Sequence, residues 1–106
     1  VPLQRQDGMF HTLLDDPTSP IEASATAGFG YGVLAGLREG LLSPEQAGLV
    51  EGARGAIFAR IGQDGLLADV SDGTAMGMDL AHYHRIPNTP TPYGQALATL
   101  ATTWAT

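Results

Sequence analysis

Residues 19–40 read Ser-Pro-Ile-Glu-Ala-Ser-Ala-Thr-Ala-Gly-Phe-Gly-Tyr-Gly-Val-Leu-Ala-Gly-Leu-Arg-Glu-Gly. Ser19 can cap a helix, Pro20 suits a first helical position, and Glu22 stands three residues after Ser19, as a capping box requires. The spacing predicts a helix from there to about Glu39, with Gly40 as its C-terminal stop. Ala23, Ala25, Ala27, Phe29, Tyr31, Val33, Leu34 and Leu37 make it apolar or small almost all round. Such a helix is expected to be buried on more than one side. Its glycines at 28, 30, 32 and 36 lie inside the helical pattern, where they permit close packing and form no phosphate loop.

Working outward, the same grammar recurs at Ser43-Pro44-Glu45-Gln46. It opens a second helix with Ala47, Val50, Ile57, Phe58 and Ile61 on its apolar side and Glu45, Glu51 and Arg60 as polar residues, closed by Gly62. This helix reads as amphipathic and peripheral. Gln63-Asp64-Gly65 turns into Leu66–Val70, a candidate strand, and Ser71-Asp72-Gly73-Thr74 turns again. A short helix is expected within residues 74–84. After a proline-rich break, Pro92-Tyr93-Gly94-Gln95 starts a last helix carrying Leu97, Leu100, Ala101 and Trp104 at helical spacing. Residues 1–19 read as an extended segment or loop between turn-forming pairs. The expectation is an all-α chain of about three main helices with short loops and a small strand pair, ordered inner helix, outer helix, loop, inner helix, as in an α/α toroid.

Composition narrows the function classes. The 106 residues suffice for one small unit, and the formal net charge is −6, with five arginines as the only permanent cations. A surface tracking nucleic-acid phosphates is thereby disfavoured. Absence of cysteine removes disulfides, thiolate metal sites and a cysteine nucleophile together. No apolar run reaches membrane-span length, and the first residues are not a signal peptide. Only 15% of residues are charged, against about 25% in ordinary domains, and small residues dominate the apolar stretch, which suits a piece of a larger helical body.

Several residues carry chemistry, each with a structural alternative. Glu22 is the acid nearest the buried helix and either meets a substrate hydroxyl or completes the capping box. Ser24 and Thr26 either donate to a sugar or bond back to their own helix. Phe10-His11 is either a sugar-binding pair, ring stacked and imidazole bonded, or a ring beside a surface-loop histidine. His82 and His84 share a face only in an extended segment, and Asp79 would be a weak third metal ligand. Asp15-Asp16 and Asp69 with Asp72 offer acid/base carboxylates, although such acids in turns usually form the turns. No Gly-x-Ser-x-Gly elbow is present.

The order of these pieces carries a resemblance. Asp7-Gly8-Met9-Phe10-His11, Leu14-Asp15-Asp16-Pro17, Glu22-Ala23-Ser24-Ala25-Thr26-Ala27, Gly36 with Gly40, Asp64-Gly65-Leu66, Gly73-Thr74-Ala75-Met76-Gly77, Tyr83 and Tyr93-Gly94-Gln95 span nearly the whole chain. Together they resemble the C-terminal part of the unsaturated glucuronyl and rhamnogalacturonyl hydrolases, glycoside hydrolase families 88 and 105, somewhat more the latter. The resemblance implies that residues 1–106 are one segment of a larger (α/α)6 barrel. It implies an activity that removes the unsaturated uronic sugar left by a polysaccharide lyase, through hydration of the C4–C5 double bond by an aspartic acid/base. It implies no metal and no cofactor, an unsaturated oligosaccharide as partner, and a bacterial cytoplasmic setting. The family's catalytic aspartates and its Trp/Arg-rich segment lie upstream of the matched region, so no catalytic residue is expected here and the segment alone should be inactive. Phe10, His11, Glu22 and Ser24 would bind or support substrate, with Gly73-Thr74 and Tyr93-Gly94 at the rim. Phe10, Thr12 and Gly28 stand where the family often has Trp, Gln and Met. Exposed apolar faces should pack on the missing part or on a second copy. A helical carbohydrate- or partner-binding module without catalysis is the alternative reading.

Overall fold

The computed structural model describes residues 3–103. Helix α1 spans Ala23–Arg38, α2 Ala47–Ala59, α3 Leu80–His84 and α4 Pro92–Thr103. Helix α1 is central and packs against both α2 and α4. The core between them is built from Met9, Ala23, Ala27, Ala56, Ile57, Leu67, Val70, Ala98 and Ala101. Five of these nine are alanine, so the helices approach closely; of the larger side chains only Ile57 comes from a helix, and Met9, Leu67 and Val70 arrive from the loops. At one crossing a methyl group on Gly30 would stand 3.0 Å from the Ala53 Cβ.

Helix α1 ends as its sequence predicts. Gly40 takes φ 71°, the left-handed region that glycine occupies without penalty. Leu41 N–H then donates to Gly36 C=O at 2.8 Å and Gly40 N–H to Leu37 C=O at 3.2 Å, the pair of bonds that satisfies a helix's last carbonyls. Its start differs from expectation. Ser19 is not the cap: its hydroxyl is engaged with Leu13 and Asp16, and Ile21 pairs with His11 in an antiparallel bridge. The cap is Glu22, whose carboxylate accepts the Ala25 N–H at 2.7 Å. The N-terminal half of α1 is buried at Ala23, Ser24, Thr26, Ala27 and Gly30, whereas Val33–Leu37 is half-buried.

The second start behaves as read: Ser43 caps a single 3-10 turn at Pro44–Gln46 that leads into α2. Within α2 the buried face is Val50, Ala53, Ala56 and Ile57. Phe58 points outward, 54% exposed, because a 100° step from Ile57 carries it off that face. The helix ends at Ala59, before Gly62. Residues 66–70 form no strand. Asp69 adopts φ 63°, which breaks an extended run, and only Leu67 pairs, in one bridge with Ile61. Leu67 N–H instead donates to the Gln95 side chain at 2.6 Å. Among the described residues there are isolated bridges and no strands. The short helix of residues 74–84 is confined to α3, capped by Asp79 through His82 N–H. In α4 the buried residues are Gly94, Ala98 and Ala101, and Leu100 is exposed; Trp104 lies outside the described residues.

Candidate functional site

The N-terminal end of α1 gathers several of the buried polar side chains among the described residues, Glu22, Ser24 and Thr26 with Ser71 beside them. Glu22, 6% exposed, accepts from Ser24 Oγ and Ala25 N–H through Oε1 and from Ser71 N–H through Oε2 at 2.6 Å. Ala23 N–H donates to Asp69 C=O at 2.8 Å. One carboxylate therefore ties the helix start to the loop 69–74, which the left-handed Asp69 turns across it. Arg60 steadies that turn, with Nε 3.3 Å from Asp69 Oδ2 and a guanidinium nitrogen 3.4 Å from Asp7 Oδ2.

Beside this junction lies an open cavity of about 720 Å³. Its walls come from Thr12, Leu13 and Leu14 of the loop before α1, Phe29 of α1, Thr74 and Tyr83 around α3, and Leu97 of α4, with His11, Glu22 and Ser24 at its polar side. No lysine or arginine contributes to it among the described residues. Its chemistry is hydroxyls, one imidazole, one carboxylate and apolar side chains, the mixture that suits a sugar ring's alternating hydroxyl edges and C–H faces.

Hydrogen bonding decides what each group can still offer. His11 Nδ1 lies 2.8 Å from Ser19 C=O. A carbonyl only accepts, so Nδ1 carries the hydrogen and Nε2 of the neutral ring is left as an acceptor. The Ser24 hydroxyl donates its O–H to Glu22 Oε1, which leaves its oxygen able to accept a second bond. Tyr93 OH donates to Ser71 C=O and accepts from Gly73 N–H, so it holds the rim loop. Tyr83 OH accepts from Gly77 N–H at 3.1 Å and keeps a proton to donate.

Of the four residues predicted to bind substrate, the structure brings His11, Glu22 and Ser24 to the cavity wall. Phe10 is not on it. The Phe10 ring is 5% exposed and packs edge-on to Phe29, centroids 4.9 Å apart at 71°, so Phe29 presents the aromatic surface. Thr26 is fully buried, donates to Glu22 C=O and accepts from Phe10 N–H, which removes it as a sugar donor. Of the residues expected at the rim, Thr74 and Tyr93 line the cavity, whereas Gly73 and Gly94 do not and Gly94 is buried. His82 and His84 diverge: His82 Nε2 is 2.8 Å from Ala75 C=O and His84 Nε2 2.8 Å from Asp16 Oδ2. Among the described residues no three His, Asp or Glu side chains are grouped to hold a metal ion. Residues 79–84 are a helix with its Asp79 cap, which separates the two imidazoles.

An all-α chain thus carries, at a helix start, a cavity lined by hydroxyls and apolar side chains and, among the described residues, by no cation. Comparison with known proteins gives the family: the family model described as Glycosyl Hydrolase Family 88 matches residues 1–105, and the chain belongs to that family. It is 34% identical over 87 residues to a Bacillus subtilis (strain 168) protein named unsaturated rhamnogalacturonyl hydrolase YesR, covering 82% of this chain and 24% of that one. A solved structure from Salmonella enterica, titled a possible member of the GH105 family, superposes with a TM-score of 0.92 at 47% identity over 93% of this chain and 26% of its own. A similarly titled structure from Klebsiella pneumoniae gives 0.91 at 48% identity, with the same coverages. The chain thus spans about a quarter of the length of these relatives and has the fold of that quarter. No helix among the described residues is long and apolar enough to cross a membrane.

Proposed function

We propose that this chain forms one wall of the substrate cavity in a hydrolase of unsaturated uronyl oligosaccharides, of the pectin or rhamnogalacturonan type. The observation that carries the reading is the cavity at the start of α1, set within a family match along the whole chain. In this reading the acid/base aspartate that hydrates the C4–C5 double bond comes from outside residues 1–106, and the segment alone does not turn over substrate. Its own residues bind. Phe29 offers an aromatic face to the sugar's C–H surface, His11 Nε2 accepts a hydroxyl, Ser24 accepts another, and Tyr83 donates. Because no arginine or lysine lines this wall, the substrate carboxylate is met elsewhere and this side takes hydroxyl-bearing ring atoms. Leu41, Phe58, Met76, Met78 and Leu80, each more than half exposed, pack in this reading on the rest of the barrel, or drive self-association when that is missing. The setting is the bacterial cytoplasm.

The test is a titration of the isotope-labelled chain with an unsaturated rhamnogalacturonan disaccharide, paired with an assay following loss of the enol ether's ultraviolet absorbance. Shifts at Thr12, Ser24 and Thr74, their loss in Phe29→Ala, and no turnover by the chain alone are expected. Turnover by the chain alone, or shifts confined to residues away from the cavity, would overturn the reading.

A further inference from the structure

Asp16 and His84 are 68 positions apart, yet His84 Nε2 lies 2.8 Å from Asp16 Oδ2. Asp16 belongs to the loop whose Thr12, Leu13 and Leu14 form one wall of the cavity. His84 ends α3, whose Tyr83, with the preceding Thr74, forms another wall. Among the described residues no other hydrogen bond or ion pair joins these two segments. The contact is also prepared from one side. Thr18 binds Asp16 Oδ1 with its hydroxyl at 2.6 Å and its N–H at 2.9 Å, which fixes the carboxylate and leaves Oδ2 for the imidazole. Both side chains keep about a third of their surface in solvent, 28% for Asp16 and 32% for His84, so protons reach the pair freely.

We propose that Asp16 and His84 form a protonation-dependent clasp that positions the two walls of the cavity relative to each other. The inference rests on the reading of that cavity as a sugar site. With the imidazole protonated, the bond is charge-assisted on both sides; with the ring neutral it is an ordinary donor on a carboxylate, substantially weaker. Imidazoles as a class make that change between about pH 5 and 8. Neighbouring titratable groups are committed elsewhere. On α3, Asp79 caps the helix and His82 faces Ala75 C=O. In the cavity, His11 bonds Ser19, Glu22 bonds Ser24, Ala25 and Ser71, Tyr83 bonds Gly77, and Tyr93 bonds Ser71 and Gly73. Asp15 and Arg85 make no ion pair with either member, and Arg5 is paired with Asp7. A change in the hydrogen bond at His84 Nε2 is therefore felt first at Asp16. Both residues act through the walls and are positioning residues.

The experiment follows the backbone amides of Leu14 and Thr74 in the labelled chain from about pH 5 to 8, with and without a saturating neutral disaccharide containing rhamnose. Both amides should move with one midpoint, shared with the His84 ring resonance. Affinity should be about threefold to tenfold lower at the alkaline end than at the acid end. His84→Gln and Asp16→Asn should each flatten the common response. Walls that stay still while His84 titrates, or a response that survives His84→Gln, would overturn the clasp. Should His84→Gln fail to fold, Asp16→Asn decides the question alone. A common wall response without sugar binding at any pH would leave the clasp standing and overturn the sugar reading.

Discussion

Glu22→Ala tests whether one carboxylate holds the cavity together. It removes the α1 cap, worth about 1 kcal/mol. It also strands the buried Ser71 N–H, which donates to Oε2 at 2.6 Å, at about 1–3 kcal/mol. Ser24 loses less, since its hydroxyl borders the open cavity and can turn to water. The total is about 2–4 kcal/mol, which in a domain near 100 residues lowers Tm by about 10–25 °C. Thermal unfolding followed by far-ultraviolet circular dichroism measures this, and hydrogen exchange at Ser71 locates it. Glu22→Gln should fall between wild type and Glu22→Ala, because one oxygen survives while the new NH2 faces a donor. A Tm within about 4 °C of wild type, or a Ser71 amide exchanging at the native rate in Glu22→Ala, would refute the assignment of Glu22 as the joint between α1 and the loop 69–74.

Gly8 has φ 93°, and a methyl group there would stand 2.0 Å from Gly52 C=O; Gly8→Ala should cost about 2 kcal/mol or more, read as a lower urea midpoint. Ile57→Ala should cost about 2–5 kcal/mol, while Phe58→Ala next to it should stay within about 0.5 kcal/mol in this chain, and the pair of urea midpoints checks the register of α2. Acid should destabilise through Asp16, whose pKa is lowered from 3.8 to about 2 by the Thr18 hydroxyl, then the Thr18 N–H, then His84. A carboxyl with a folded pKa below its unfolded one adds stability that is present above 3.8 and lost as pH falls through about 2. In His84→Gln, a carbon-detected titration should find Asp16 raised but still below 3.8, since both Thr18 bonds remain.

Much of the fold is legible because helices announce themselves through local chemistry. Gly40 and the Ser43-Pro44 turn behave as their residue types demand, and so does the Pro92 start of α4. Ser19-Pro20 fails with the same grammar because the loop before it folds back on itself: Leu13 and Asp16 take the hydroxyl, His11 takes the carbonyl, and Ile21 pairs across to His11. A capping signal holds only where no other neighbour competes for the same groups. Residues 66–70 fail for a related reason. Their apolar pattern is real, since Leu67 and Val70 are fully buried, but burial against helices needs no strand, and the pairing offered stops at a single bridge to Ile61.

The site divides along the same line. His11, Glu22 and Ser24, singled out in the sequence, meet at the cavity because they cluster around one helix start. The aromatic surface was not legible: Phe10 and Phe29 touch, and nothing local says which ring is inside, because a helix that is apolar all round has no face to read. The Asp16–His84 contact lay further out of reach, and Asp16 shows why. Reading paired acids in a loop as turn formers is correct for one of its oxygens, Oδ1, which Thr18 occupies. A carboxylate has a second oxygen, and a side chain that satisfies its local turn with the first is held in place to make a long-range contact with the other. The structural role and the positioning role are thus not alternatives in this residue, since the turn orients the oxygen that His84 meets.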